Sequence, residues 1–219
     1  MRGPIALVLA VTAACGGGGG GGGDDTPVSD AAALSDAITQ QGLIVNVVAL
    51  PALPGEIKSD LTVTSVVFHV QRLQVIGDNG QPMTSAAFDL GWQGEGTNPS
   101  PIDFPTAPSG LYSQVSIEID ASAAAPVYEI FGTVKVGGDI EMFHIRDTEN
   151  LDIDITGYNV TLAPGQSAIM GVRLDLRDAI DGIDMGMLPM MMGRRTLETN
   201  DAQMSEFRDK LDDAFKRSP

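Results

Sequence analysis

Cysteine is almost absent from this chain: Cys15 is the only one. An internal disulfide framework and a multi-cysteine zinc site are therefore excluded. Histidine is nearly as scarce, with His69 and His144 making up the whole supply. Basic residues are few, 13 Lys and Arg against 29 Asp and Glu, for a formal net charge of −16. Nucleic-acid binding neutralises phosphates with Lys and Arg, so this balance excludes a DNA- or RNA-binding domain. No apolar run reaches the roughly 20 residues of a membrane-spanning helix. There is also no phosphate loop, dinucleotide fingerprint or HExxH motif.

The N-terminus, MRGPIALVLAVTAAC, supplies a basic residue (Arg2), an apolar run and small residues in that order. This is the order of a secretory signal, expected over residues 1–14. A cysteine directly after the small residues resembles the lipobox of bacterial lipoproteins, whose thiol is acylated before cleavage. Thr12 stands where Leu or Val is usual. The resemblance implies a lipid bilayer as partner, through acylation of Cys15, and a place in the bacterial cell envelope, at the outer membrane or periplasmic face. The glycine run that follows suits a tether of about 15 Å root-mean-square span. Residues 15–41 are thus read as lipidated cysteine, poly-Gly tether and linker, with a short helix before Gly42. Cleavage removes Arg2 and no acidic residue, leaving an even more acidic body. A charge of that sign suits a soluble extracytoplasmic domain, a cation or a basic partner.

From residue 42 the period is two. GLIVNVVAL is a near-continuous apolar strand, and LTVTSVVFHVQRLQVI (61–76) is a long one. Its apolar positions change phase near Gln71 and Arg72, which predicts a β-bulge. Residues 91–110, rich in Gly, Pro, Asn and Ser, read as a loop. LYSQVSIEID, VYEIFGTVKV, IEMFHIR, LDIDIT, NVTLAPG and QSAIMGVRLDL supply further strands, the second and third joined by a Gly-Gly-Asp hairpin turn. Uneven strand and loop lengths favour an antiparallel Greek-key β-sandwich over residues 42–180, rather than a barrel. A Met-rich loop follows (181–198), then an amphipathic α-helix (199–217). That helix is expected to be capped by Asn200 with Gln203, with Met204, Phe207, Leu211 and Phe215 on one stripe. Glu206 with Lys210, Asp212 with Lys216 and Asp213 with Arg217 are favourable i,i+4 pairs. The stripe is expected to pack on the sandwich; docking onto another protein is the alternative.

The order of GLIVNVVALP, LTVTSVVFHVQRLQV, APSGLYSQVSIEID and GQSAIMGVRLDL behind a lipobox resembles an uncharacterised family of bacterial lipoproteins with a prealbumin-like β-sandwich. The resemblance covers residues 42–180. It implies a fold and an envelope location, and it carries no catalytic residues.

Chemistry-bearing groups are sparse. Gly165-Gln166-Ser167-Ala168-Ile169 begins like a nucleophile elbow but lacks the final glycine and enters a strand. Both histidines fall on strands and read as structural or surface residues. Asp152-Ile153-Asp154 opens like an EF-hand loop, but Ala163 occupies the place of the bidentate Glu. Loop carboxylates still make a calcium candidate from Asp147, Glu149, Asp152, Asp175 and Asp178, against the simpler reading of a solvated acidic face. Met185, Met187, Met190, Met191 and Met192 are soft ligands for copper or, more simply, adaptable apolar contacts. Trp92, in GWQGEG, either meets a glycan or peptide or plugs the end of the sandwich with its indole N–H on a backbone oxygen. The expected function is that of a non-catalytic binding or structural module for an envelope protein, a glycan or a cation. No cofactor is expected, and the alternative is a metal-binding lipoprotein using calcium or copper.

Overall fold

A computed structural model of the protein describes residues 42–78, 80–94, 98–120 and 125–218. The expected signal peptide, Cys15, the glycine run and the short helix before Gly42 lie outside the described residues.

The chain runs through β1 (Gly42–Leu50), β2 (Gly55–Lys58), β3 (Leu61–Gly77), β4 (Met83–Thr84), β5 (Phe88–Gln93), β6 (Ile102–Phe104) and β7 (Gly110–Ile119). Then come β8 (Tyr128–Val136), β9 (Asp139–Asp147), β10 (Leu151–Leu162), β11 (Ser167–Asp175) and α1 (Leu176–Ile180). A 3-10 turn at Met185–Met187 leads to β12 (Met190–Met191), β13 (Arg194–Leu197), α2 (Met204–Ala214) and β14 (Phe215–Arg217). Two sheets form a sandwich-like, mainly β body carrying a helix near the C-terminus. The larger follows the order β10-β7-β3-β8-β9-β13-β12, with β2, β4 and β5 also on β3; the smaller is β14-β11-β1-β6.

β3 is the spine of the larger sheet. Its first half pairs with β8 and β5 and its second half with β7 and β4. The register on β7 shifts between Val70 and Arg72, where the apolar phase changes in the sequence. The bulge lets one strand turn its even residues inward before the shift (Val66, Phe68, Val70) and its odd residues afterwards (Leu73, Val75). At Gly132 on β8 a side chain has no room: a Cβ would collide with the Thr62 carbonyl and the Phe143 ring. LDIDIT and NVTL form one strand, β10, whose pairing on β7 is irregular between Thr156 and Val160, around Gly157 with its positive φ of 81°.

Three expectations need correction. The sandwich is not antiparallel throughout, because β1 pairs in parallel with β11, Gly42 opposite Ser167, and β13 pairs in parallel with β9. Apolar alternation reports which face is buried and is silent on which strand lies alongside. The stretch 91–110 is not all loop, since it holds the end of β5 and β6, where Trp92 and Phe104 are buried. Finally, α2 starts at Met204 without a side-chain cap, so Asn200 does not perform that role. The helix ends at Ala214 and the chain continues as β14, pairing with β11. Glu206 meets Lys210 at 3.2 Å as expected. Lys216 instead reaches Asp178, and Arg217 reaches the Gly157 carbonyl, because both have left the helix.

The stripe on α2 packs on the body: Met204, Phe207 and Leu211 are buried, and Phe215 follows them from β14. Phe68 is the hub. Its ring lies 5.4 Å from Phe215 of the smaller sheet, 5.9 Å from Tyr128 and 6.5 Å, edge-on, from Trp92. Tyr128 in turn lies 6.1 Å from Phe207. Rings in such tilted and edge-on arrangements add to the burial energy of the core, and here they join both sheets and the helix.

Candidate functional site

The acidic candidates occupy separate places. Asp147 ends β9 in the inward phase set by Phe143 and Ile145, and it is fully buried. Arg208 of α2 meets both carboxylate oxygens, Nη2 donating to Oδ1 at 3.0 Å. The Tyr128 hydroxyl donates at 2.9 Å, and the backbone N–H groups of Thr148 and Glu149 donate at 2.8 and 3.2 Å. Burial pushes this carboxyl up; hydrogen bonds from Arg208, the Glu149 N–H and Tyr128 outweigh it and hold the carboxyl below the usual range. Burial, together with the Asp147 charge, raises the Tyr128 hydroxyl well above its ordinary value. Glu149 pairs with the same guanidinium at 2.6 Å. The group pins α2 to β8 and β9.

Asp152 faces outward on β10, beside a shallow depression it shares with Arg72, Glu118 and Asp154. Asp175 caps α1 by accepting the Arg177 N–H at 3.2 Å, and Asp178 pairs with Lys216. Among the described residues, no three histidine, cysteine, aspartate or glutamate side chains form a group suited to a metal ion. The methionines divide as well. Met185 is buried, whereas Met187, Met190, Met191 and Met192 are exposed around the 3-10 turn and the β12–β13 turn.

Trp92 plugs the core from β5, in register with Val66. Its Nε1–H, expected to find a backbone oxygen, has no hydrogen-bond partner among the described residues. Both histidines bond carboxylates: His69 meets Asp89 at 2.7 Å and His144 meets Glu129 at 3.0 Å. His144 is mostly buried beneath the Phe131 ring, stacked at 4.2 Å. Burial lowers its pKa against the opposing pull of Glu129.

One feature had no signal in any single motif. A groove of about 590 Å³ runs between the β8–β9 turn and the segment after α1. Its floor is apolar, from Leu61, Val134, Ile183 and Met185, and its lining also carries Lys58, Lys135, Asp60 and Asp184. Lys58 pairs with Asp181 at 3.0 Å; Lys135 has no ion-pair partner among the described residues. Residues from three distant stretches of sequence make this groove, so only the folded chain reveals it. An apolar floor with both ammonium and carboxylate groups in its lining suits contact with an apolar group that carries polar substituents.

The fold and these groups define a mainly β, two-sheet body with a groove beside the β8–β9 turn. Compared with protein-family models, with curated proteins and with solved structures, the chain matches none of them.

Proposed function

We propose that the protein is a lipid-anchored lipoprotein of the bacterial cell envelope whose two-sheet body acts as a non-catalytic binding module. The observation that carries this reading is the order of the N-terminal sequence: a basic residue, a short apolar run, small residues, Cys15 and then glycine. The body that follows supports it. The body is joined through the Phe68 hub, and its groove offers an apolar floor with lysine and aspartate groups around it as contact area for a partner.

Detergent-phase partition of the full chain from whole cells tests the anchor. The native protein is expected in the detergent phase and Cys15→Ser in the aqueous phase, since acyl chains contribute about 0.8 kcal/mol per buried methylene. A Cys15→Ser protein that still enters the detergent phase overturns the anchored reading.

A further inference from the structure

Nine large apolar side chains are exposed among the described residues, and six come from β9 and the segment 187–192: Ile140, Met142, Met187, Met190, Met191 and Met192. At this corner the sheet register sets Ile140, Met142 and Met191 on one face, with Met192 at the adjoining turn. Met191 lies opposite Arg194 across the β12–β13 turn. Arg195 lies beside Phe143 in the parallel β13–β9 pair, so one step back sets Arg194 next to Met142. Ile140 stands two residues earlier on the same face of β9, opposite Lys135 of β8. Met192 forms the tip of the turn, 99% exposed and with a φ of 49°. Asn or Gly sits in that left-handed region with less strain than Met.

Charge marks the same corner. Lys135 and Arg194 have no ion-pair partner among the described residues, in a chain with more than twice as many acidic as basic residues. Of the nearby carboxylates, Glu141 pairs with Arg195 at 2.5 Å and Asp184 accepts the Gly186 N–H, while Asp60 faces the groove beside Lys135. Asp139 lies in the opposite phase to Ile140.

We propose that this corner is the surface on which the protein lies against an anionic lipid bilayer, with Ile140, Met142, Met191 and Met192 at the headgroup boundary and Lys135 and Arg194 on lipid phosphates. The corner is a protruding turn and sheet edge, and its unbranched thioether side chains adapt to a fluid surface. The acidic remainder is repelled by anionic lipid, so this is the face whose approach is favoured. A two-fold pair of copies joined at this corner would set the free cations against their own counterparts, which disfavours a dimer. The proposal deepens the anchored reading: acyl chains and a cationic, apolar patch together make a firm hold, and the patch alone gives weaker, reversible binding that vesicle flotation can register.

Vesicle flotation of the full chain carrying Cys15→Ser isolates the corner from the acyl anchor. Phosphatidylcholine vesicles with and without phosphatidylglycerol are the probe. The Cys15→Ser protein is expected to float with the anionic vesicles and much less with the neutral ones. Adding Arg194→Gln is expected to lower the bound fraction about fivefold, the effect of one cation near a charged bilayer, and adding Met192→Asp at least as much. Asp tolerates the left-handed turn, so an unchanged melting temperature separates lost binding from lost folding. Ile169→Asp, exposed on the smaller sheet, is expected to float undiminished. Bound fractions indifferent to both corner variants overturn the proposal. So does a dimer, seen by sedimentation, that Met192→Asp dissociates. A native chain that stays out of the detergent phase while its flotation still depends on the corner defeats the acylation reading and sustains this one.

Discussion

Asp147 is a charge that the protein buries, and Met192 is an apolar side chain that it exposes. Both invert the usual rule, and they do so with different support around them. Asp147 is surrounded by Arg208, Tyr128 and two backbone N–H groups. Met192 has solvent around it and a backbone conformation that favours another residue. The first inversion is answered inside the molecule, where it fixes the position of α2. The second has no internal answer, which is why it directs attention to a surface outside the chain.

Removing the partner of the buried charge should have the largest effect. Arg208→Ala leaves Asp147 buried and uncompensated, and the expected loss is about 3–5 kcal/mol of unfolding free energy by urea titration. A loss below about 1 kcal/mol would show that water reaches the carboxylate and that the group does not hold the helix.

A second test uses pH and a residue intermediate between the two extremes. His144 has its pKa lowered, mainly by burial. A folded-state value below the unfolded one means that the unfolded chain binds the proton more readily. Stability from this group is therefore complete above about pH 6.5 and is lost as pH falls from there through the folded value. Melting temperature should decline over that range in the native protein and decline less in His144→Gln. Parallel curves for the two proteins would assign the decline to other groups. Asp147, held below its usual range, adds a separate loss at more acid pH, since its contribution disappears as pH falls through its folded value.

The smallest effect belongs to the exposed side. Met192→Asn should change unfolding free energy by no more than about 0.5 kcal/mol, in the stabilising direction if at all, because Asn accepts the left-handed turn and no packing is lost. A clear destabilisation would mean that the Met192 side chain is held by the protein itself, and the contrast with Asp147 would collapse.

Much of this was readable in the residues. The alternation of β3 carried its own bulge, and the stripe Met204, Phe207, Leu211 announced the buried face of α2. Asp147 could have been recognised too. It continues the inward phase of Phe143 and Ile145, and Arg208 lies one helical turn after Met204 on the buried stripe. Reading Asp147 as a loop carboxylate missed that phase. Trp92 was obscured by the glycines around it, although Leu90 and Trp92 alternate as a strand does. Other features were beyond reach of any local pattern. Parallel pairing of β1 with β11 is a choice between partners, and the groove at Lys135 is assembled from separated segments. The end of α2 was set by tertiary pairing too: Phe215 to Arg217 have helical periodicity, and the edge of β11 draws them into a strand.

The parallel ladder between β1 and β11 also orders events in time. β1 leaves the ribosome among the first segments of the body, yet its parallel partner β11 follows only after β2 to β10 have been made. Until then β1 has only its short antiparallel contact with β6, Leu43 to Val45, and its other edge stays open. Assembly of the smaller sheet is thereby a late, long-range event of the kind that slows folding and exposes a chain to aggregation. Protection of a nascent chain by a holding chaperone would matter most for the segment made first.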